Sequence, residues 1–409
     1  MSQQGPILVV STTRRPSFAA SLDEAKMFPV IDATWADASR AVAQLQPAAV
    51  FAAMSETAEP GFGALAKQIA ARQPYLPLIA IDPTTLLPEN AIPFVQAGGN
   101  PDRLTARLRA ALRVRTLHAT VMRRLDDEPA ARPLAEIDLV RDATVLLIGR
   151  GAAYPALSVA LGERMGVVGA LSIEAAAKHL NTRDIDGIVL GEGFSVRVVD
   201  AFLTVLAEDP RFRNLPVILT SNELAPTYDL ANLEIIAGEP ARVAANAVPL
   251  IRQRALEIHL SRTLRSIDAG GLLDPQTGLL TPAAFNRDFA TAVYHTLSRG
   301  GGLSVARFAF DPAHPRAQLD GARILSRLMR QMDFGAVQPD GSVIVVFTET
   351  DLRTAHMIAR RLSSVMRHTS HGKRDTRSEP SVTLATMLPS DTAQSLLARL
   401  DQEAHRAAS

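Results

Sequence analysis

Cysteine does not occur among the 409 residues of this chain. Its absence excludes disulfide bonds, thiolate metal sites and cysteine nucleophiles, and it is compatible with a reducing compartment. A large net charge is also missing, because 43 basic and 42 acidic side chains leave a formal charge of +1. The chain therefore has no global electrostatic footprint for nucleic acid or an anionic membrane, and any anion must be bound by a local cluster.

Long apolar runs are lacking too, since no uninterrupted apolar segment approaches the roughly 18 residues that cross a bilayer. The first residues do not combine a basic region with a long apolar one, so we expect a soluble, cytoplasmic protein. What the chain does contain is apolar material, which makes up 47% of its residues. At this length, that composition predicts about two to four domains with buried cores.

Short apolar strands alternate with helical stretches twice along the chain. The first set of predicted strands is Ile7–Val10, Val30–Ala33, Ala49–Ala53, Leu78–Ile81 and Ile92–Gln96. The pattern then restarts with Val145–Ile148, Val167–Leu171, Gly187–Leu190, Val217–Thr220 and Leu233–Ile236. A long helix is predicted after each set, from Pro101 past Val121 and from Ala241 to about Leu264. Because this alternation builds a parallel sheet covered on both faces, we predict two doubly wound α/β domains.

Both segments resemble the receiver domain of response regulators, a flavodoxin-like fold, over roughly residues 5–120 and 142–255. Receiver chemistry needs carboxylates that hold Mg²⁺ and an aspartate nucleophile at the end of the third strand. That nucleophile position is occupied by Ala53 in the first segment and by Gly191 in the second. Neither residue accepts a phosphoryl group, so we predict no phosphorylation at the usual site. Glu192 is either a built-in charge mimic or a solvated loop residue.

The turn Pro339-Asp340-Gly341-Ser342 separates the apolar stretches Phe334–Gln338 and Val343–Phe347, and it predicts a hairpin. Arg330 and Asp333 precede this turn. An arginine fork meets the O6 and N7 acceptors of guanine bidentately, and a carboxylate accepts the N–H donors of the opposite edge. Three residues apart at a predicted helix end, the two side chains point the same way. The pair predicts a guanine-nucleotide site, and the alternative is a surface ion pair.

The position of this pair carries more information than its spacing. The same spacing recurs at Arg123/Asp126, Arg124/Asp127, Arg183/Asp186, Arg197/Asp200 and Arg265/Asp268. Only Arg330 and Asp333 lie directly before the predicted hairpin.

The run from Asp274 to Phe285 resembles the opening of the diguanylate cyclase, or GGDEF, domain, an α+β fold of the nucleotidyl-cyclase type. The match is specific at Asp274, Thr277, Gly278, Leu279 and Phe285. In this chain, Thr281 takes the position of the residue that contacts substrate guanine in the family, and Ala309 takes that of a metal-binding aspartate. Gly341 and Ser342 take the place of part of the family's catalytic signature. A cyclase needs paired carboxylates that hold two metal ions on the triphosphate. The resemblance therefore implies a degenerate cyclase that is not an enzyme and holds no metal.

The same resemblance implies an allosteric cyclic di-GMP site at Arg330 and Asp333. A third contact falls on Arg361, with Arg360 as the fallback, in a helix predicted from Asp351 to about His368. A stacked pair of cyclic di-GMP molecules carries several phosphate charges and guanine edges, which suit two arginines and one carboxylate.

Five segments follow from these patterns: receiver-like 1–120, an acidic helical linker 121–141, receiver-like 142–255, a linker helix 256–272 and GGDEF-like 273–409. The resemblance implies a homodimeric effector of bacterial two-component signalling that binds no nucleic acid and inserts into no membrane. It further implies recruitment to a cell pole, where the protein would deliver adaptors and substrates to the ClpXP protease during the cell cycle. Two alternatives stay open, a residual diguanylate cyclase and a ligand-free scaffold whose third domain only dimerises.

Overall fold

The computed structural model describes residues 5–12, 15–54, 61–96, 101–127, 137–221, 228–366, 369–370 and 379–408. These residues form three sheets, each covered by helices. The first sheet is parallel, the second is parallel apart from one added antiparallel edge strand, and the third is antiparallel. The prediction of α/β segments built on parallel sheets is confirmed.

The first unit contains a five-stranded parallel sheet with the order β2-β1-β3-β4-β5. Its strands are β1 Ile7–Ser11, β2 Val30–Thr34, β3 Ala49–Ala53, β4 Leu78–Ile81 and β5 Ala91–Phe94. Its helices are α1 Phe18–Glu24, α2 Ala38–Leu45, α3 Phe62–Ala70 and α4 Pro101–Asp127. Most of these strands are apolar throughout, because helices cover both faces of the sheet.

The second unit repeats this order, with strands β6 Thr144–Ile148, β7 Gly166–Ala170, β8 Gly187–Leu190, β9 Val217–Leu219 and β10 Leu233–Ile235. Its helices are α5 Tyr154–Gly162, α6 Ile173–Thr182, α7 Val196–Glu208 and α8 Pro240–Asp268. The sheet runs β10-β9-β8-β6-β7, so both units share the flavodoxin-like strand order. Each predicted strand lies within two residues of an observed one.

One βα repeat of the first unit lacks its helix. Residues 82–90, between β4 and β5, contain no helical residue. Pro83 and Pro88 lie within this stretch and remove two backbone donors. Asp82 has a left-handed backbone, with φ of 49°, and its carboxylate accepts hydrogen bonds from the backbone and side chain of Gln96. The segment is therefore held as a loop.

The third unit is built around an antiparallel sheet with the order β12-β13-β11-β15. Its elements are α9 Pro282–Arg299, β11 Leu303–Ala309, α10 Pro315–Leu328, β12 Phe334–Val337, β13 Val343–Thr348, α11 Leu352–Met366, β14 Thr369–Ser370, β15 Ser381–Thr386 and α12 Ala393–Ala408. Helices α10 and α11 pack on one face of the sheet, and α9 and α12 pack on the other. The predicted end of α11 at His368 lies outside the described residues.

The three units contact one another extensively. Helices α4 and α8 pack together through Val114, Val121 and Leu260. Leu250 of α8 is buried in the core of the first unit. Strand β14 of the third unit pairs antiparallel with β7 and extends the sheet of the second unit. Because α4 and α8 are continuous across the predicted limits at residues 120 and 255, the domain boundaries remain a prediction.

Candidate functional site

The Arg330–Asp333 segment is a turn that follows α10. The helix ends at Leu328, and Met329 is extended, with φ of −61° and ψ of 150°. The Asp333 backbone N–H donates to the Arg330 carbonyl at 3.0 Å. The prediction that the pair occupies a helix end is therefore wrong in detail, because the local turn, and not helical spacing, sets the orientation of the two residues.

Asp333 is a buried carboxylate that is only half satisfied. It is 7% exposed, and its Oδ1 accepts a hydrogen bond from the Thr348 backbone N–H at 3.2 Å. Its Oδ2 is buried and meets no donor among the described residues. Burial raises the pKa of Asp333, against the opposing influence of the Thr348 N–H and of the Arg330 guanidinium. The site therefore presents a buried acceptor that a ligand donor could satisfy.

Arg330 is exposed beside this carboxylate. Within the described parts of the chain, its guanidinium donates no hydrogen bond, and it forms no ion pair with Asp333. The alternative of a simple surface ion pair between the two is not what the structure shows. Among the described residues, an exposed cation therefore accompanies an acid with one unpartnered oxygen.

Helix α11 is held close to this turn by a shared core. Leu328 at the end of α10 and Ile358 of α11 pack in the same apolar cluster. Arg360 and Arg361 both lie on the exposed face of α11. Their participation with Arg330 in one ligand site stays a prediction.

The hairpin predicted after this turn is confirmed. Strands β12 and β13 pair antiparallel, from Phe334 opposite Val346 to Val337 opposite Val343. The Gln338 N–H donates to the Ser342 carbonyl at 2.7 Å, which closes the turn. Gly341 has φ of +81°, a conformation that favours glycine.

A polar network covers the hairpin turn. The Arg307 guanidinium contacts Ser342 Oγ at 3.1 Å and forms ion pairs with Asp340 and Asp401. Burial acts to raise the pKa of Asp340, but hydrogen bonds from Ser342 and Arg307 outweigh it and lower that pKa. A side chain at Gly341 would meet the amide of Gln318 at 2.5 Å. The turn is thus filled by the protein's own side chains.

Arg307 was missed by the sequence reasoning, although a signal for it existed. It is the one charged residue of the apolar strand β11, two positions before Ala309. A charged residue inside an apolar strand needs a partner. That partner comes from the hairpin and from α12, which no local pattern indicates.

The remaining positions of the predicted catalytic site carry no acid. Thr281 precedes α9, and its N–H donates to the Leu272 carbonyl at 2.8 Å. Ala309 ends β11 opposite Ser381. Across the residues that the structure describes, no group of three or more His, Asp or Glu side chains is placed to hold a metal ion.

The predicted phosphoacceptor positions lie at the carboxyl ends of the third strand of each parallel sheet. Ala53 ends β3, and Gly191 follows β8 with its N–H donating to the Ile148 carbonyl at 2.7 Å. The Glu192 carbonyl accepts hydrogen bonds from the backbones of Arg150 and Gly151. Glu192 therefore helps to hold the loop that follows β6, whatever its side chain does.

In the ranges that the structure describes, no helix is both long and apolar enough to span a bilayer.

Comparison with known proteins gives structural matches alone. No protein-family model matches the sequence, and no curated protein does. The coiled-coil and GGDEF domain of DgcB from Caulobacter crescentus, solved in complex with c-di-GMP, is similar at 15% identity and a TM-score of 0.31, over 35% of this chain and 83% of that one. A sensory box/GGDEF family protein from Caulobacter crescentus is similar at 22% identity and a TM-score of 0.30, over 33% and 97%. The FimX GGDEF domain from Pseudomonas aeruginosa is similar at 18% identity and a TM-score of 0.31, over 34% and 93%.

Proposed function

We propose that this chain is a catalytically inactive effector that binds cyclic di-GMP at Arg330 and Asp333 and transmits that binding to partner proteins. One observation carries the proposal, namely that the buried Oδ2 of Asp333 meets no donor among the described residues, while the exposed Arg330 lies three residues away and acts on its charge. A buried acceptor without a partner costs free energy, and a ligand N–H removes that cost.

The two groups complement a guanine base in charge and in hydrogen bonding. Guanine offers O6 and N7 to an arginine fork and N–H donors to a carboxylate. Arg361, with Arg360 beside it, adds positive charge on a neighbouring helix for the phosphates of the dinucleotide. A stacked pair of cyclic di-GMP molecules would use all of these groups.

Replacing Arg330 with alanine should weaken cyclic di-GMP binding by about tenfold or more, because a charge-assisted hydrogen bond contributes about 1.5–3 kcal/mol. Isothermal titration of the full chain measures this change. Arg353→Ala is the matched control, since Arg353 is exposed on α11 and outside the proposed site. If the wild type fails to bind at tens of micromolar, the effector proposal is wrong and the ligand-free scaffold is favoured.

We also propose that the third unit does not synthesise cyclic di-GMP. Thr281, Ala309 and Ser342 supply no carboxylate, and the polar network of Arg307 fills the hairpin turn where a nucleotide triphosphate would lie. Incubation of the full chain with GTP and Mg²⁺ or Mn²⁺ should therefore yield no cyclic di-GMP by chromatography. Clear turnover would establish the residual cyclase instead.

The route from the ligand site to the rest of the protein runs through α10, in our proposal. Arg316 of α10 donates to the Ala143 carbonyl at 2.8 Å, and Arg323 donates to the Asp142 carbonyl at 3.0 Å, both in the second unit. The Arg330–Asp333 turn directly follows this helix. Ligand bound at the turn can therefore bias how α10 packs against the second unit.

The order of units resembles that of the double-receiver cyclase PleD and, more closely, of its silent paralogue PopA. We extend the proposal accordingly to a homodimeric adaptor that is recruited to a cell pole and delivers partners to ClpXP when cyclic di-GMP is present. A binding assay with ClpXP and its adaptors tests this extension. Retention by the wild type and loss in Arg330→Ala are expected, and equal retention by both proteins would contradict it.

A further inference from the structure

A cavity of about 310 Å³ lies between the second unit, including its helix α8, and helix α10 of the third unit. Six arginines line it, namely Arg183, Arg211, Arg254, Arg262, Arg265 and Arg327. Only two carboxylates, those of Asp184 and Glu257, accompany them. Arginines therefore outnumber carboxylates in this lining, in a protein whose overall formal charge is +1.

Both carboxylates of the cavity are already engaged. Asp184 Oδ1 accepts a hydrogen bond from Arg327 Nη1 at 2.7 Å, and its Oδ2 forms an ion pair with Arg262. Burial acts to raise the pKa of Asp184, but the two guanidiniums outweigh it and lower that pKa. Glu257 bridges Arg254, at 2.7 Å, and Arg113 of the first unit. Arg211 pairs with Asp209, which lies beside the lining, at 2.7 Å.

Two of the arginines have donors that are directed at no carboxylate. Arg265 is exposed, and the hydrogen bond that the structure gives its side chain runs to the Ser261 carbonyl of its own helix at 3.4 Å. The buried Nε of Arg254 meets no acceptor in the described part of the chain. Burial lowers the pKa of Arg183 to about 10. Like charges gathered in a partly enclosed cleft concentrate a field that attracts anions.

One wall of the cavity is apolar and includes an aromatic ring. Leu215 and Ile258 line it together with Phe212. The Arg211 guanidinium lies 4.8 Å from the centroid of the Phe212 ring, in a cation–π contact. Apolar and aromatic surface beside a basic cluster suits a planar base linked to phosphates.

We propose that this cavity is a second binding site, for a small molecule that carries adjacent phosphate groups, such as a nucleoside di- or triphosphate. The site lies between α10 of the third unit and the second unit with its helix α8, so an anion there would hold the two units together. It is separate from the Arg330 site and does not depend on the proposed function.

Titration of the full chain with pyrophosphate, GTP and ATP in the absence of divalent cations tests the proposal. Pyrophosphate is expected to bind, with an affinity that falls as salt increases. The nucleotides are expected to bind more tightly, because the base gains the wall at Phe212. Equal affinities would support the phosphate site and identify the inorganic anion as sufficient. Absence of binding by all three probes would overturn the proposal.

Variants separate this site from the Arg330 site. Arg265→Gln should weaken pyrophosphate binding by about tenfold, because it removes one charge-assisted contact. Arg109→Gln, an exposed position on α4 outside the cavity, should leave it unchanged. Arg330→Ala should also leave pyrophosphate binding unchanged, and Arg265→Gln should leave cyclic di-GMP binding unchanged. Unaltered pyrophosphate affinity in both Arg265→Gln and Arg211→Gln would assign the binding elsewhere and refute the proposal.

Discussion

Replacing Arg107 with alanine should lower the free energy of unfolding by about 3–5 kcal/mol, which is the usual cost of breaking a buried ion pair by removing one partner. Arg107 of α4 and Glu234 of β10 are 1% and 0% exposed, and Nη2 lies 2.7 Å from Oε1. Without Arg107, the carboxylate stays buried between the first and second units with its main counter-charge gone. Denaturant titration, followed by fluorescence and circular dichroism, measures the loss.

The Arg107 guanidinium also links two sheet edges. Its Nη1 donates to the Pro93 carbonyl at 2.6 Å in the first unit, and its Nε donates to the Ala231 carbonyl at 2.7 Å in the second. Burial raises the pKa of Glu234, and the guanidiniums of Arg107 and Arg103 oppose that rise. Alanine therefore leaves several buried acceptors without a donor as well as a buried charge.

Two further variants test this explanation. Arg109→Ala, two residues along the same helix and exposed, should change stability by no more than about 0.5 kcal/mol. The double variant Arg107→Met with Glu234→Leu should recover most of the loss, because apolar replacement of both partners removes the unpaired charge. If the double variant is as unstable as Arg107→Ala, the buried charge is not the cause.

Replacing Arg316 with alanine should weaken the contact between the second and third units by about 3 kcal/mol of free energy. Arg316 is 15% exposed and pairs with Asp320, which is 8% exposed, at 3.2 Å. Its Nη2 also donates to the Ala143 carbonyl and to Thr144 Oγ1, at 2.8 and 2.6 Å. Faster hydrogen exchange in β6 and in the residues leading into it is the expected readout, because these backbones lose their cover.

Arg327→Ala is the matched control for this second prediction. Arg327 lies on the same helix and faces the same unit, but its side chain is 33% exposed. Its partner Asp184 keeps the ion pair with Arg262. We expect a loss of about 1 kcal/mol or less, as for an exposed pair. Equal effects of Arg316→Ala and Arg327→Ala would show that burial does not decide the strength of this contact.

Local patterns predicted the elements well where one segment contains all the information. The strands of both parallel sheets are buried on two faces, so they read as short apolar runs. The hairpin was predictable because Gly341 supplies the positive φ that its turn requires. The helix missing from residues 82–90 was less visible, because Pro83 and Pro88 act together with a distant Gln96.

The place of the Arg330–Asp333 segment before the hairpin was predictable, but its conformation was not. Arg330 and Asp333 could be singled out from their place before the hairpin. Their spacing suggested one helical face, whereas the helix ends at Leu328 and a turn carries the pair. The burial of Asp333 depends on strand β13, which contributes the Thr348 N–H from 15 residues away.

The sequence by itself determined the order of the three units, the apolar strands, the hairpin and the absence of carboxylates at Ala53, Gly191, Thr281 and Ala309. These features depend on residue identity and on short-range periodicity. Only the tertiary structure decided that Arg107 meets Glu234, that Arg307 fills the hairpin turn, that Asp333 is left half satisfied and that six arginines surround one cavity. Each of these depends on which side chains from distant elements share a buried volume. A charge in such a volume has lost its water, so its free energy depends on which partners lie beside it.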